Sequence, residues 1–217
     1  MIVTIDGPSG TGKTTVARSA AERLGFVYFD TGAMYRALTW VVLENKIDPT
    51  DDEALQLILS QFDFKIQEDA HGKRYFVGDA DVTEVIRSRL ITQHVSQVAA
   101  QKRVREALLQ IQHRFVQGKN VIFEGRDLGT VVFPDAEVKI YLHADPQVRA
   151  ERRLREMPEM DLQVMLKEII RRDDLDANRA IAPLRCPEGA CCIDTSELTL
   201  EQVIARVVEE VQKVLVA

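Results

Sequence analysis

The stretch GPSGTGKTT, residues 7–15, fits the pattern G-x-x-x-x-G-K-[ST] through Gly7, Gly12, Lys13 and Thr14. Its glycines let the backbone curl so that successive N–H groups converge on phosphate oxygens, with a helix N-terminus behind them. Gly7, Pro8, Ser9, Gly10, Thr11, Gly12, Lys13, Thr14 and Thr15 are therefore expected to cradle the phosphates of a nucleotide. Lys13 would reach the β- and γ-phosphates, and the Thr14 hydroxyl would ligate Mg²⁺.

A second set of residues offers a place for an acceptor. DTGAMYR (residues 30–36) and EGRDLGT (residues 124–130) each follow an apolar run and each carry an arginine, Arg36 and Arg126. Arginine forks match phosphate oxygens in pairs. One loop arginine is readily a surface ion-pair partner; two, each at the C-terminal end of a strand, point to an anionic ligand. Arg149, Arg152, Arg153 and Arg155 crowd one segment, and the spacing of the first three puts them on one helix face. They read as a lid that brings charge to a transferring phosphate, or as a solvated face partly balanced by Glu151 and Glu156. Arg172, Asp176 and Arg179 recur at helical spacing, a mixed set suited to a sugar and a phosphate-bearing ligand.

Other chemistry finds little support. NKID (residues 45–48) matches the guanine-reading N-K-x-D motif, but it ends a helical stretch instead of following a late strand. It reads as a helix end and turn. His71, His94, His113 and His143 are scattered, with no Ser–His–Asp or Cys–His set. Transfer to a nucleophile that is already an anion needs no general base, only positioning and charge neutralisation.

These residues need elements to hold them. MIVTID reads as a buried strand, followed by helical spacing from Lys13 to Leu24 and a second strand, FVYFD (residues 26–30). VIFEG (121–125), VKIYLHA (138–144) and ACCIDTS (190–196) complete a set of five, with a last amphipathic helix over 200–216. Strands alternating with helices predict an α/β fold, a five-stranded parallel sheet sandwiched between helices in three layers. Residues 62–82 instead alternate apolar and polar around DAHGK, which predicts an antiparallel hairpin insert. RLREMPEMD (153–161) is a charged, proline-broken segment within the lid, taken as about 149–161. No repeat or linker interrupts residues 1–217, which read as one domain.

Composition limits the partners. A net charge of −6 argues against coating a nucleic-acid polymer. No apolar run approaches the roughly 18 residues of a membrane span, and Ile2–Ile5 already reads as strand, leaving no room for a targeting peptide. Cys186, Cys191 and Cys192 lack zinc spacing, and their odd number argues against a disulfide framework, so reduced thiols in the cytoplasm are expected.

Along nearly its whole length the sequence resembles bacterial cytidylate kinases. The resemblance rests on IDGPSGTGKTT, DTGAMYR, SQVAAQKRVREAL, EGRDLGTVVFPDA and RRDDLDANRAIAPL. It implies transfer of the γ-phosphate of ATP, with Mg²⁺, to CMP or dCMP by a cytoplasmic monomer. By position, Arg36 and Arg126 would hold the acceptor phosphate. Thr31, Ser96, Arg105, Asp127 and Arg179 would surround cytosine, and Arg172 and Asp176 the ribose. The catalytic set would be Lys13, Arg126, Asp127 and Arg153 of the lid. The hairpin corresponds to the enlarged monophosphate-binding region, while the lid between Arg155 and Asp161 is a few residues short. The rivals are a phosphate-loop kinase for another small acceptor, such as shikimate, and a non-catalytic nucleotide switch.

Overall fold

In the computed structural model the described residues are 1–69 and 72–216. In chain order the elements are β1 (Ile2–Asp6), α1 (Lys13–Leu24), β2 (Val27–Asp30), α2 (Thr31–Glu44), α3 (Asp52–Gln61), β3 (Phe64–Asp69), β4 (Gly72–Val77) and β5 (Ala80–Asp81). There follow α4 (Arg89–Ala99), α5 (Lys102–Phe115), β6 (Val121–Gly125), β7 (Val138–His143), α6 (Pro146–Leu154), α7 (Leu162–Asn178), β8 (Cys191–Asp194) and α8 (Leu200–Leu215). They fall into two compact units, Met1–Asp30 with Val116–Ala217, and Thr31–Phe115.

The first unit is built on a parallel sheet in the order β2-β6-β1-β7-β8. Its central strands are apolar almost throughout because both faces are covered, so alternation is lost and β-branched residues dominate. Val16, Ala17 and Ala20 of α1 and Val203, Ile204, Val207 and Val211 of α8 recur at helical spacing. They pack on Val3, Ile5, Ile122, Ile140, Leu142 and Ile193 of the sheet. All five expected strands and both terminal helices lie where apolar patterning places them. β1 and β2 end in carboxylates, Asp6 and Asp30, and Glu124 stands one residue before the end of β6.

The second unit contains the expected antiparallel piece. β3 pairs with β4 from Phe64↔Val77 to Asp69↔Gly72, and β4 pairs further with the two-residue β5. The hairpin is thus a three-stranded sheet, while Ala70 and His71 at its centre lie outside the described residues. Tyr75, Val82 and Ile86 pack with Ala33 and Ala37 of α2 to form its core. NKID proves to be the end of α2. The Lys46 N–H donates to Leu43 O (3.0 Å) and the Ile47 N–H to Val42 O (3.0 Å), with Lys46 left-handed at φ 53°. This pair of bonds closes the helix on its own last carbonyls, a Schellman end, and Asp48 folds onto Thr50 beyond it.

Candidate active site

The phosphate loop joins β1 to α1, and its curl rests on glycine at particular positions. Gly7 (φ 145°), Gly10 (φ 81°) and Gly12 (φ 87°) occupy the half of conformational space that side chains disfavour. A Cβ on Gly7 would also lie 2.0 Å from the Leu142 carbonyl oxygen of β7. Lys13 opens α1 and folds back, its Nζ donating to Pro8 O at 2.6 Å. Burial, then the guanidiniums of Arg126 and Arg172, hold its ammonium well below the ordinary lysine range. A site that strains a cation in this way gains by admitting polyphosphate.

Thr14 donates its hydroxyl to Glu124 Oε1 at 2.7 Å, tying the start of α1 to the end of β6. Burial and the nearby Asp30 carboxylate push Glu124 up to about 8, against the opposing pull of Lys13 and of the Thr14 hydroxyl. A raised acid favours the protonated fold. The stability linked to Glu124 is therefore complete below its ordinary value of 4.5 and is lost as pH rises towards 8. Glu124→Gln keeps an acceptor for Thr14 without the charge. It should stabilise the ligand-free protein at pH 8.5 by at least about 1 kcal/mol and change little at pH 4. Urea unfolding at the two pH values measures this, and equal effects at both would refute it.

Beyond β6 the chain turns through Arg126 and Asp127 into a π-helical turn, Leu128–Val132. Asp6 at the end of β1 accepts from the N–H groups of Leu128 (2.9 Å) and Gly129 (2.8 Å), which clamps that turn. Burial outweighs those two bonds and raises Asp6 to about 6. Two ion pairs then cross to the end of α7. Arg126 Nε donates to Asp176 Oδ2 (3.1 Å), and an Arg179 terminal nitrogen donates to Asp127 Oδ1 (2.9 Å). Burial raises Asp176, but the guanidiniums of Arg126, Arg172 and Arg179 together hold it below the usual carboxylate range. Arg172 reaches Ser9 Oγ of the phosphate loop at 3.5 Å. Lys13, Arg126, Asp127, Arg172, Asp176 and Arg179 thus lie together beside Ser9, whereas among the described residues no hydrogen bond or ion pair joins Arg153 to them.

One detail differs from the sequence reading. Arg179 does not share a helix face with Arg172 and Asp176, because α7 ends at Asn178 and Arg179 is extended (φ −62°, ψ 141°). The chain turns there to place Leu184 N–H on Asp176 O at 2.9 Å. Arg179 reaches Asp127 from the turn.

Of the arginines expected on the lid, two serve the fold. Arg149 is buried, donating to Ala144 O (3.0 Å) and Ser9 O (3.0 Å) and pairing with Asp173 at 2.6 Å. Arg152 donates to the Thr195 hydroxyl at 2.9 Å. Both face inward because residues three apart share a helix face. Arg153 makes no side-chain hydrogen bond or ion pair among the described residues and is half-buried. Around Pro158, Met157 and Met160 pack on Ala150, Met165 and Ile169, so the segment between α6 and α7 has a small core of its own.

In the second unit, Thr31 opens α2, Ser96 lies on α4 and Arg105 on α5. Arg36 on α2 donates to Thr92 Oγ1 (2.8 Å) and Ile86 O (3.2 Å). Arg105 donates to Ala99 O and stands 5.6 Å from the Tyr35 ring centroid. Asp6, Tyr35, Thr92 and Glu124 were not among the residues singled out from the sequence, yet they bond to or stand beside ones that were. For Asp6 and Glu124 a signal existed, a carboxylate at or next to the end of an apolar strand. Thr92 is reached only through its tertiary contact with Arg36.

The family model for cytidylate kinase matches residues 3–213. The chain belongs to the cytidylate kinase family. A cytidylate kinase of Protochlamydia amoebophila is 46% identical, covering 96% of this chain and 95% of that protein. One of Carboxydothermus hydrogenoformans is 42% identical, covering 96% of each. Among solved structures, an uncharacterized protein from Eubacterium ventriosum aligns with a TM-score of 0.55 at 11% identity, over 98% of each chain. A gluconokinase from Sinorhizobium meliloti aligns with a TM-score of 0.50 at 16% identity, over 97% of this chain and 95% of that one. These two likenesses concern the fold alone. Among the described residues no helix is long and apolar enough to cross a membrane.

Proposed function

We propose that the chain transfers the γ-phosphoryl group of ATP to the phosphate of CMP or dCMP, acting as a cytoplasmic monomer. The observation that carries this reading is the double ion pair Arg126–Asp176 and Asp127–Arg179, held close to the phosphate loop. Two guanidiniums and two carboxylates already in register need little reorganisation to exchange their mutual bonds for those of a nucleoside monophosphate. Lys13 neutralises the transferring group and Arg126 holds the acceptor phosphate. Asp176 and Arg172 take the sugar hydroxyls. Thr31, Arg36, Ser96 and Arg105 complete the acceptor contacts, and Arg153 supplies charge from the lid.

The donor set at the loop suits Mg²⁺. The Thr14 hydroxyl and the Glu124 carboxylate are hard oxygens in hydrogen-bond contact, and Mg²⁺ takes few protein ligands when phosphates and water supply the rest. Thr14 would hold it, and bound there it would offset charge on the β- and γ-phosphates. The acceptor phosphate is already an anion, so these residues position and neutralise; none has to remove a proton. A coupled assay with ATP, Mg²⁺ and a panel of nucleoside monophosphates plus shikimate tests the reading. Turnover should be fastest on CMP and dCMP, and preference for any other acceptor would overturn it.

Base selection gives a sharper result. Cytosine offers an amino donor where uracil offers a carbonyl, so the site needs an acceptor, which Asp127 supplies with Thr31. Asp127→Asn preserves shape but presents an amide donor. It should lower kcat/KM for CMP by about 10-fold or more relative to UMP. Equal losses on both substrates would move Asp127 from the base to the phosphates.

A further inference from the structure

The cysteines take no part in the phosphate chemistry, yet two of them meet. Cys192 lies in the edge strand β8, in register with Tyr141 of β7. Strand alternation sends Cys191 to the core beneath α1 and α8 and leaves Cys192 exposed on the other face. Cys186 precedes the strand by a tight turn in which the Ala190 N–H donates to Pro187 O at 3.2 Å and Gly189 takes φ 72°. This turn folds the chain back on itself and sets the Cys186 and Cys192 sulfurs 2.9 Å apart. Both ends are anchored. Pro187 is buried against Gly129, whose added Cβ would lie 2.8 Å from the proline Cγ, and β8 holds Cys192.

We propose that Cys186 and Cys192 form a reversible redox site, which a hydroperoxide oxidises to an intramolecular disulfide and a dithiol reduces. The Cys192 thiolate attacks the terminal peroxide oxygen, the O–O bond breaks, and the departing oxygen takes up a proton to leave as an alcohol or water. Cys192 is then a sulfenic acid. The Cys186 sulfur displaces the hydroxyl from the Cys192 sulfur, and that hydroxyl leaves with the Cys186 proton as water. Two thiols and one hydroperoxide become one disulfide, one alcohol or water, and one further water. Burial and the contact with Cys192 push the Cys186 thiol up to about 11, so it keeps its proton until this second step. The exposed position of both sulfurs gives oxidant and reductant access.

The test treats the reduced full-length protein with stoichiometric hydrogen peroxide and counts free thiols. The three thiols should fall to one, and dithiothreitol should restore all three. Cleavage after Glu188 separates Cys186 from the other two cysteines, so the bridge should link two peptides. Cys191→Ser should form that bridge as the wild type does, whereas Cys186→Ser should form no intramolecular bridge. A bridge lost in Cys191→Ser, covalent dimers as the main product, or sulfinic acid accumulating without a disulfide would overturn the proposal. Unchanged thiols would do the same.

Discussion

Lys13→Ala should leave a folded protein whose turnover falls by at least about 10³-fold, as expected when a charge aimed at the transferring phosphate is removed. The fold should tolerate it because the ammonium makes no ion pair with a carboxylate among the described residues; it rests on the Pro8 carbonyl of its own loop. Its lowered pKa also means that the free protein bears a cost for the charged form, largest at neutral and acid pH and vanishing as pH rises past the ordinary lysine value of 10.5. Truncation should therefore hold or raise the melting temperature at pH 7 while abolishing activity. Steady-state rates with ATP and CMP, read beside a thermal melt, check both halves. Near-normal turnover in a folded variant would remove the loop from the chemistry.

Asp176→Ala should damage stability and acceptor binding together. Its buried carboxylate is shared by Arg126, Arg172 and Arg179, so its removal leaves three guanidiniums to repel one another across α7 and the loop after β6. Breaking a buried pair from one side costs about 3 kcal/mol, the low end applying where a ligand site admits water. Loss of a charged acceptor for the sugar should weaken CMP and dCMP alike by about 1.5–3 kcal/mol. The pH dependence has a definite sign. The folded carboxylate is held low, so its contribution is present above the ordinary value of 3.8 and is lost as pH falls below it. The stability gap between wild type and variant should therefore narrow in acid. Denaturant unfolding at pH 7 and pH 3, with binding titrations at pH 7, decides the matter; a loss of ATP affinity alone would detach Asp176 from the acceptor.

Much of this molecule was legible before folding. Parallel strands buried on both faces leave continuous apolar runs, so β1, β2, β6, β7 and β8 stood out, and the phosphate loop is a local motif whose glycines and lysine lie within a few residues of one another. The helices α4 and α5 were not anticipated, although Ile91, Val95, Val98 and Ala99 recur with helical period. Their signal lay in a stretch read for its motif instead of its spacing. The hairpin was expected from alternation, but β5 is two residues long and carries no period at all.

What the chain determined by itself was therefore the five strands of the parallel sheet, the helices α1 and α8 and the loop that joins β1 to α1, because their patterns repeat within a few residues. Tertiary structure alone decided which charges neutralise which. Arg126 finds Asp176 and Arg179 finds Asp127 across about fifty positions of sequence. Arg149, read as a lid residue, is instead buried on Ser9 and Asp173. An arginine has the same side chain on a lid, on a loop or in a core. Its role depends on the acceptors and the dielectric around its guanidinium, and those are set only when distant strands and helices pack.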